Sequence, residues 1–271
     1  MNKIIIFIIT LLILLVINHH LYKENFYNED KNIFNSKFDK ILYINLIHRK
    51  DRNEQILNEF KKMNIDKNKI HRIDAVHEKY NGHIGCAKSH IKALKYAKDN
   101  NYKRIFVFED DFIFTLPKND TNKRLTKFLK DYEGKWDVVQ LTSVYKSFRN
   151  NKPPDEIDNV NLINKASTSS SYIINHHFYD KLIETLNESL EKMNHEMIEF
   201  HKQKKKIKKK KKTTNYALDQ YWNPLQKKSN WYLFYPYLGK QGGEAGKSSI
   251  MSNNLEGFIS NNNIRLYNLR I

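Results

Sequence analysis

Arg104-Ile105-Phe106-Val107-Phe108-Glu109-Asp110-Asp111 is a short apolar run that ends in three consecutive carboxylates. Such a run predicts a buried strand that delivers acid groups at its carboxyl end, where open α/β sheets place their ligands. Three adjacent acids repel one another unless a cation compensates them. Their natural partner is therefore a hard divalent ion with oxygen ligands. A strand that simply runs into a solvated acidic turn gives the same pattern, and the triplet alone leaves both open.

Outward from this strand, apolar segments alternate with helical periodicities. Lys40–Leu46 predicts a strand, followed by an amphipathic helix through about Met63 and a short strand at Ile70–Ile73. Gly82–Gly85 reads as a turn, and Cys86–Lys98 as a helix whose apolar stripe is Ala87, Ile91, Leu94 and either Tyr96 or Ala97. Further strands are expected at Trp136–Leu141, Ser171–Ile174 and Trp231–Tyr237. Helices are expected near Arg124–Asp131, Phe178–Phe200 and Tyr216–Gln226. Alternation without an internal repeat indicates one α/β domain, with a mixed, mainly parallel sheet flanked by helices, over residues 38–271.

Ahead of this domain, Ile4–Ile17 is apolar except for Thr10. Fourteen helical residues reach roughly 21 Å, short of the roughly 30 Å hydrocarbon core. No small-residue cleavage site follows. The expectation is an uncleaved signal anchor over 1–20, a polar stem over 21–37, and a lumenal or extracytoplasmic catalytic domain. A cleaved signal peptide and a secreted protein form the second possibility. The triplets Asn119-Asp120-Thr121 and Asn187-Glu188-Ser189 are glycosylation sequons compatible with either.

The chain has 271 residues and a formal charge of +17, but nine lysines fall between Lys202 and Lys212, leaving +8 for the rest. That Lys-rich insertion, at 201–214, reads as a solvated loop or as a contact for anionic lipid headgroups. It contains no aromatic residue or arginine, so no specific nucleic-acid site is expected. With Cys86 as the single cysteine, neither a disulfide framework nor a cysteine-rich zinc site is available, and the fold must rest on its core. His90 lies one helical turn from Cys86, but the flanking pattern suits a buried helix residue better than a nucleophile.

Four more segments carry candidate chemistry. Arg49 and Arg52 follow the first strand and suit phosphate, or else form a solvated helix start. Gly85-Cys86-Ala87-Lys88-Ser89-His90 offers an anion site at a helix opening, or a histidine packed on a helix. Ser167-Thr168-Ser169-Ser170-Ser171 is a polar turn or a hydrogen-bonding floor for a sugar. Asp219 is a lone acid on an apolar helix, either a structural cap or a functional carboxylate.

Taken in order, Ile44-Asn45-Leu46 with Arg49, Asp51 and Arg52, then Gly85-Cys86 with Ser89-His90, then Phe108-Glu109-Asp110-Asp111, Tyr172-Ile173-Ile174 and Asp219-Gln220 resemble glycosyltransferase family 25. This family includes the lipooligosaccharide galactosyltransferases and the procollagen galactosyltransferases. The resemblance runs from about Phe38 to Ile250, and the lysine run is not part of it. It implies a GT-A fold of Rossmann-like type, a UDP-sugar donor, Mn²⁺ or Mg²⁺, and inversion to a β-linkage. By position it implies Glu109, Asp110 and Asp111 at the metal, and Asn45, Arg49, Arg52, Ser89, His90 and Gln241 around the nucleotide. Asp219 would be the base on the acceptor hydroxyl, with Glu244 as its rival. Galactose and glucose are the donor sugars to consider, and a glycan, glycolipid or glycoprotein the acceptor. Two other functions stay open. One is a two-metal nuclease or phosphatase drawing on His71, Asp74 and His77. The other is an inactive relative acting as a basic binding protein.

Overall fold

The computed structural model describes residues 7, 9–18, 32–79, 81–144, 146–149, 160–203 and 216–242. Residues 9–18 form a helix, α1, whose large apolar side chains are exposed. Among the described residues no helix is long and apolar enough to cross a membrane. The expected membrane-spanning anchor is therefore not supported.

Eight strands form one sheet in the order β2-β1-β3-β8-β5-β9-β7-β6. They are β1 (Lys40–Asn45), β2 (Ile70–Asp74), β3 (Arg104–Glu109), β5 (Val138–Gln140), β6 (Lys146–Phe148), β7 (Val160–Ala166), β8 (Ser171–Asn175) and β9 (Trp231–Phe234). The ladders β1–β2, β1–β3 and β5–β9 are parallel, and β3–β8, β5–β8, β7–β9 and β6–β7 are antiparallel. Most strands point one way, as expected, while β8 and β7 run against them. A separate ribbon pairs β4 (Phe112–Phe114) with β10 (Gly239–Gln241).

Strand alternation sorts the core into two layers. Ile105 and Val107 join Leu42, Ile44, Tyr172 and Ile174 beneath α4 (Gly82–Asp99) and α6 (Tyr179–Gln203). Phe106 and Phe108 face the other way, with Ile41, Tyr43 and Ile173, toward α2 (Ile33–Lys37), α3 (Lys50–Lys62) and α5 (Lys118–Asp131). A strand covered on both faces has no polar side to show, which is why β3 reads as unbroken apolar sequence. Two short helices, α7 (Leu218–Tyr221) and α8 (Asn223–Lys228), complete the domain.

Two expectations are corrected. The packed domain begins before Phe38: Ile33 and Phe34 in α2 are buried, and the Phe34 ring lies 5.1 Å from that of Phe106. The segment expected as stem thus ends inside the core. Gly82–Gly85 is the first turn of α4 instead of a loop, because the Asn81 side chain caps it by accepting from the His83 N–H. Gly85 is needed there, since a Cβ would sit 2.4 Å from the Val76 carbonyl oxygen. The lysine run lies mostly outside the described residues, with α6 continuing to Gln203.

Phe106 is fully buried and its ring meets those of Phe34, Phe38 and Phe108. Phe106→Ala is expected to cost about 3–5 kcal/mol in urea unfolding. A loss below about 1 kcal/mol would show that α2 and β3 do not share one core.

Candidate active site

The acids occupy the end of β3 and the turn that follows it. Ladder hydrogen bonds to β1 and β8 hold the strand, and the Glu109 N–H donates to the Ser170 carbonyl (2.8 Å). The chain then reverses into β4, which is pinned from α3. Glu59, buried beside Ile56 and Phe60 on α3, accepts from the Phe114 N–H (2.9 Å) and pairs with Lys62. That carboxylate carries no sequence signal beyond its helical phase.

The three carboxylates do not converge on one point. Glu109 turns toward α4 and β8, where its Oε1 accepts from Ser169 Oγ (2.5 Å) and lies 3.3 Å from His90 Nε2. Asp110 turns back to β1, accepting from Asn45 Nδ2 (2.8 Å) and Arg52 Nη1 (3.0 Å). Asp111 Oδ2 accepts from Gln241 Nε2 (3.1 Å) and, at 3.5 Å, from Arg52. Its other oxygen, Oδ1, is buried and meets no hydrogen-bond donor among the described residues.

Gln241 reaches Asp111 because β10 pairs with β4 directly after the triplet, with Gln241 opposite Phe112. The Gly242 N–H donates to the Asp111 carbonyl, and neither Gly239 nor Gly242 has room for a Cβ against Phe112 and Ile113. From Gln241 the contacts continue to a second acid. Thr168 Oγ1 donates to Gln241 Oε1 (3.2 Å), and the Thr168 N–H donates to Asp219 Oδ2 (3.0 Å). One amide and one threonine thus join Asp111 to Asp219, which lie far apart in the chain.

Thr168 makes both contacts from the left-handed region, at φ 80°. A non-glycine residue is held there only when its surroundings over-determine it. The restraint is a buried amide network. Gln140 Nε2 donates to the Thr168 carbonyl (2.7 Å), while Gln226 Nε2 and Trp231 Nε1 both donate to Gln140 Oε1 (3.1 Å each). Gln226 also accepts from the Ala166 N–H (2.9 Å). The serine row is therefore fixed at its entry by side chains that the sequence does not mark as special.

Charge follows burial. Burial, then the neighbouring Glu109 charge, pushes Asp111 up to about 7, while Gln241 and Arg52 pull the other way. Burial also raises Asp110, against Asn45 and Arg52. Glu109 differs: burial raises it, but the hydrogen bond and charge of His90 and the Ser169 hydroxyl outweigh that and hold it below the ordinary range. Burial raises Asp219 despite the Thr168 N–H. Arg52 pairs with both Asp110 and Asp111, and His90 lies against Glu109. A site with three acids, one arginine and a buried carboxylate oxygen lacking a donor fits a hard divalent ion.

The other expected residues divide. Asn45 is buried and orients Asp110 while donating to the Arg49 carbonyl (3.1 Å). Arg49 pairs with Asp51 at 2.8 Å. Ser89 is spent inside the fold, donating to the Gly85 carbonyl (2.6 Å) and accepting from the Val76 N–H (2.8 Å). His90 is fully buried, with Nδ1 3.0 Å from the Tyr172 hydroxyl. Neither Ser89 nor His90 is exposed to border a nucleotide, because both lie on the core-facing side of α4. Glu244 lies outside the described residues. His71, Asp74 and His77 form no metal cluster among the described residues: His71 stacks on Tyr96 and His77 meets His48.

The raised Asp111 has a consequence for stability. Its carboxyl titrates near 3.8 when unfolded and about 7 in the fold, so folding takes up a proton between those values. The stability this contributes is full below about pH 4 and is lost as pH rises through about 7. In EDTA, the melting temperature of the wild type should fall between about pH 5 and about pH 8, and Asp111→Asn should flatten that fall. Parallel profiles for the two proteins would refute the assignment.

No curated protein matches the chain. Solved structures that resemble it include A197 from STIV (15% identity, 76% of this chain and 86% of that one, TM-score 0.40). A second is a mannose-1-phosphate geranyltransferase from Thermus thermophilus (10%, 72% and 72%, 0.38). A third is a glycosyltransferase involved in glycosylation of the major capsid of PBCV-1 (11%, 72% and 93%, 0.34). At these scores nothing in the functional reading rests on them. The model of glycosyltransferase family 25 (LPS biosynthesis protein) matches residues 67–235, which include the acid triplet, Thr168 and Asp219. That span is well over half of the chain, and the chain belongs to glycosyltransferase family 25.

Proposed function

We propose that the protein is an inverting, metal-dependent hexosyltransferase that moves galactose or glucose from a UDP-sugar to a hydroxyl of a glycan, glycolipid or glycoprotein. The observation that carries this reading is the buried, donor-free Oδ1 of Asp111, linked through Gln241 and Thr168 to the raised carboxyl of Asp219. Asp111 and Glu109 would hold Mn²⁺ or Mg²⁺, with Asp110 tied back to β1. When bound, such an ion supplies positive charge against the diphosphate of the departing UDP.

The protein's own groups account for the rest. An inverting transfer is a single in-line displacement, which needs one base on the face opposite the leaving group. Asp219 suits that role, because burial has lifted its affinity for a proton toward the working range. The Thr168 N–H fixes its Oδ2, leaving the other oxygen for the acceptor hydroxyl. Glu244 is the alternative base. Arg49, on the loop after β1, is placed for a nucleotide phosphate, while Arg52 balances the acid pair. The exposed apolar side chains of α1 support association with a membrane surface, and an extracytoplasmic or secreted catalytic domain is the localisation to test. Protease protection in intact cells distinguishes these from a cytosolic protein, which would be digested only after lysis.

UDP release by the full-length protein, across a panel of UDP-sugars with Mn²⁺ or EDTA, tests the reaction. Mn²⁺-dependent release from one donor is expected. Asp111→Asn should lose at least roughly 100-fold in turnover with its circular dichroism unchanged. Wild-type turnover in that variant removes the metal assignment. Silence across the panel points to an inactive relative. Deleting residues 204–212 should leave turnover in place, whereas a basic binding protein would lose its only activity.

A further inference from the structure

Behind the acid triplet lies a second set of metal-ligating atoms with a different chemistry. Cys86 Sγ, His90 Nε2 and a Glu109 carboxylate oxygen all lie within 4.8 Å of one another. Two of the ligands come from one helix at positions i and i+4, so they share a face of α4. The third comes from the last residue of β3. We propose that Cys86, His90 and Glu109 form a binding site for a soft divalent ion of the zinc type, which shares Glu109 with the hard-ion position at Asp111.

Two of the three ligand-to-ligand distances lie near those of a tetrahedral ion. Zinc–nitrogen and zinc–oxygen bonds of about 2.0 Å at a tetrahedral angle set the two ligand atoms about 3.3 Å apart. His90 Nε2 and Glu109 Oε1 are 3.3 Å apart. A zinc–sulfur bond of about 2.3 Å sets sulfur about 3.5 Å from the oxygen. Cys86 Sγ lies 4.0 Å from Glu109 Oε1, so a shift of roughly half an ångström completes the edge. Three protein ligands with one position left for water is the arrangement of open zinc sites.

The surroundings support the same assignment. Metal-binding histidines are oriented by a partner on the other ring nitrogen. Here the Tyr172 hydroxyl, 3.0 Å from His90 Nδ1, takes that part, and the Tyr172 ring is itself fully buried. Ser169 Oγ donates to the same carboxylate oxygen. Cys86 is half-buried and the Glu109 side chain is 16% exposed. Sulfur, imidazole and carboxylate together select zinc or cobalt over manganese or magnesium, which prefer oxygen alone. In the metal-free state Cys86 and His90 both contact the Glu109 carboxylate, and binding exchanges those contacts for metal ligation, with the thiol proton passing to solvent.

The site is scored by binding, so its failure is separable from failure of the transferase reading. Co²⁺ is added to the full-length protein after EDTA treatment, and the cobalt–thiolate charge-transfer band is followed. Because Cys86 is the sole cysteine, both that band and alkylation by iodoacetamide report on one residue. The expected result is one cobalt per chain, a thiolate band, and protection of Cys86 from alkylation by Zn²⁺ but not by Mg²⁺. Cys86→Ser should abolish the band and weaken Zn²⁺ by roughly 100-fold, and Tyr172→Phe should weaken it roughly 10-fold. Asp111→Asn should keep the band. Absence of the band in folded wild type, or Zn²⁺ affinity unchanged in Cys86→Ser, overturns the site and leaves Cys86 and His90 as supports for Glu109. Wild-type alkylation remains the deciding measurement if Cys86→Ser does not fold.

Discussion

Placing carboxylates in a low-dielectric environment carries a large desolvation cost unless charge or hydrogen bonds compensate it. Asp110 and Asp111 are buried at the carboxyl end of β3, and Glu109 is nearly so. Much of the surrounding structure answers that cost. Arg52 reaches in from α3, Asn45 from the end of β1, Gln241 from β10, and His90 and Ser169 from α4 and the loop before β8. Within the triplet, Asp111 retains an oxygen without a donor among the described residues, and its carboxyl is correspondingly raised. The compensation is therefore incomplete at one atom, which is where a divalent ion is most useful.

Rigidity at this position has its own source. The loop Ser167–Ser171 bears on Glu109 through Ser169, and on Asp219 and Gln241 through Thr168. Its backbone is strained at Thr168. Gln140, Gln226 and Trp231 hold that strain from beneath with a connected set of buried polar bonds. Such a network is worth its desolvation only if every member is satisfied, and it then specifies one arrangement. The geometry of the candidate site thus depends on buried amides that hydrogen-bond neither Asp111 nor Asp219.

Metal-ligating groups in one small region differ in hardness. Asp111 offers oxygen alone, whereas Cys86 and His90 would add sulfur and nitrogen beside Glu109. Ligand type, more than affinity, separates ions in such neighbourhoods. Glu109 lies at the boundary between the two sets, which gives its carboxylate a part in both proposed functions.

Much of the architecture was legible in the sequence. The apolar run Arg104–Phe108 could be only a strand covered on both faces, because neither side of it offers a polar stripe to water. The acids after it, and the glycine, serine and histidine of α4, carried the family resemblance that the match to residues 67–235 bears out. Other features were decided by the tertiary structure alone. No local pattern states that Gln241 meets Asp111, since this depends on β10 pairing with β4 across more than a hundred residues. Nothing local marks Gln140 and Gln226 as buried partners, whereas the apolar stripe of α4 already placed His90 near its packed side. Periodicity reports which face of an element is apolar, and adjacent acids report that charge must be compensated. Which distant side chains supply the compensation is fixed by how strands pair and helices dock, a long-range property that residue spacing does not encode.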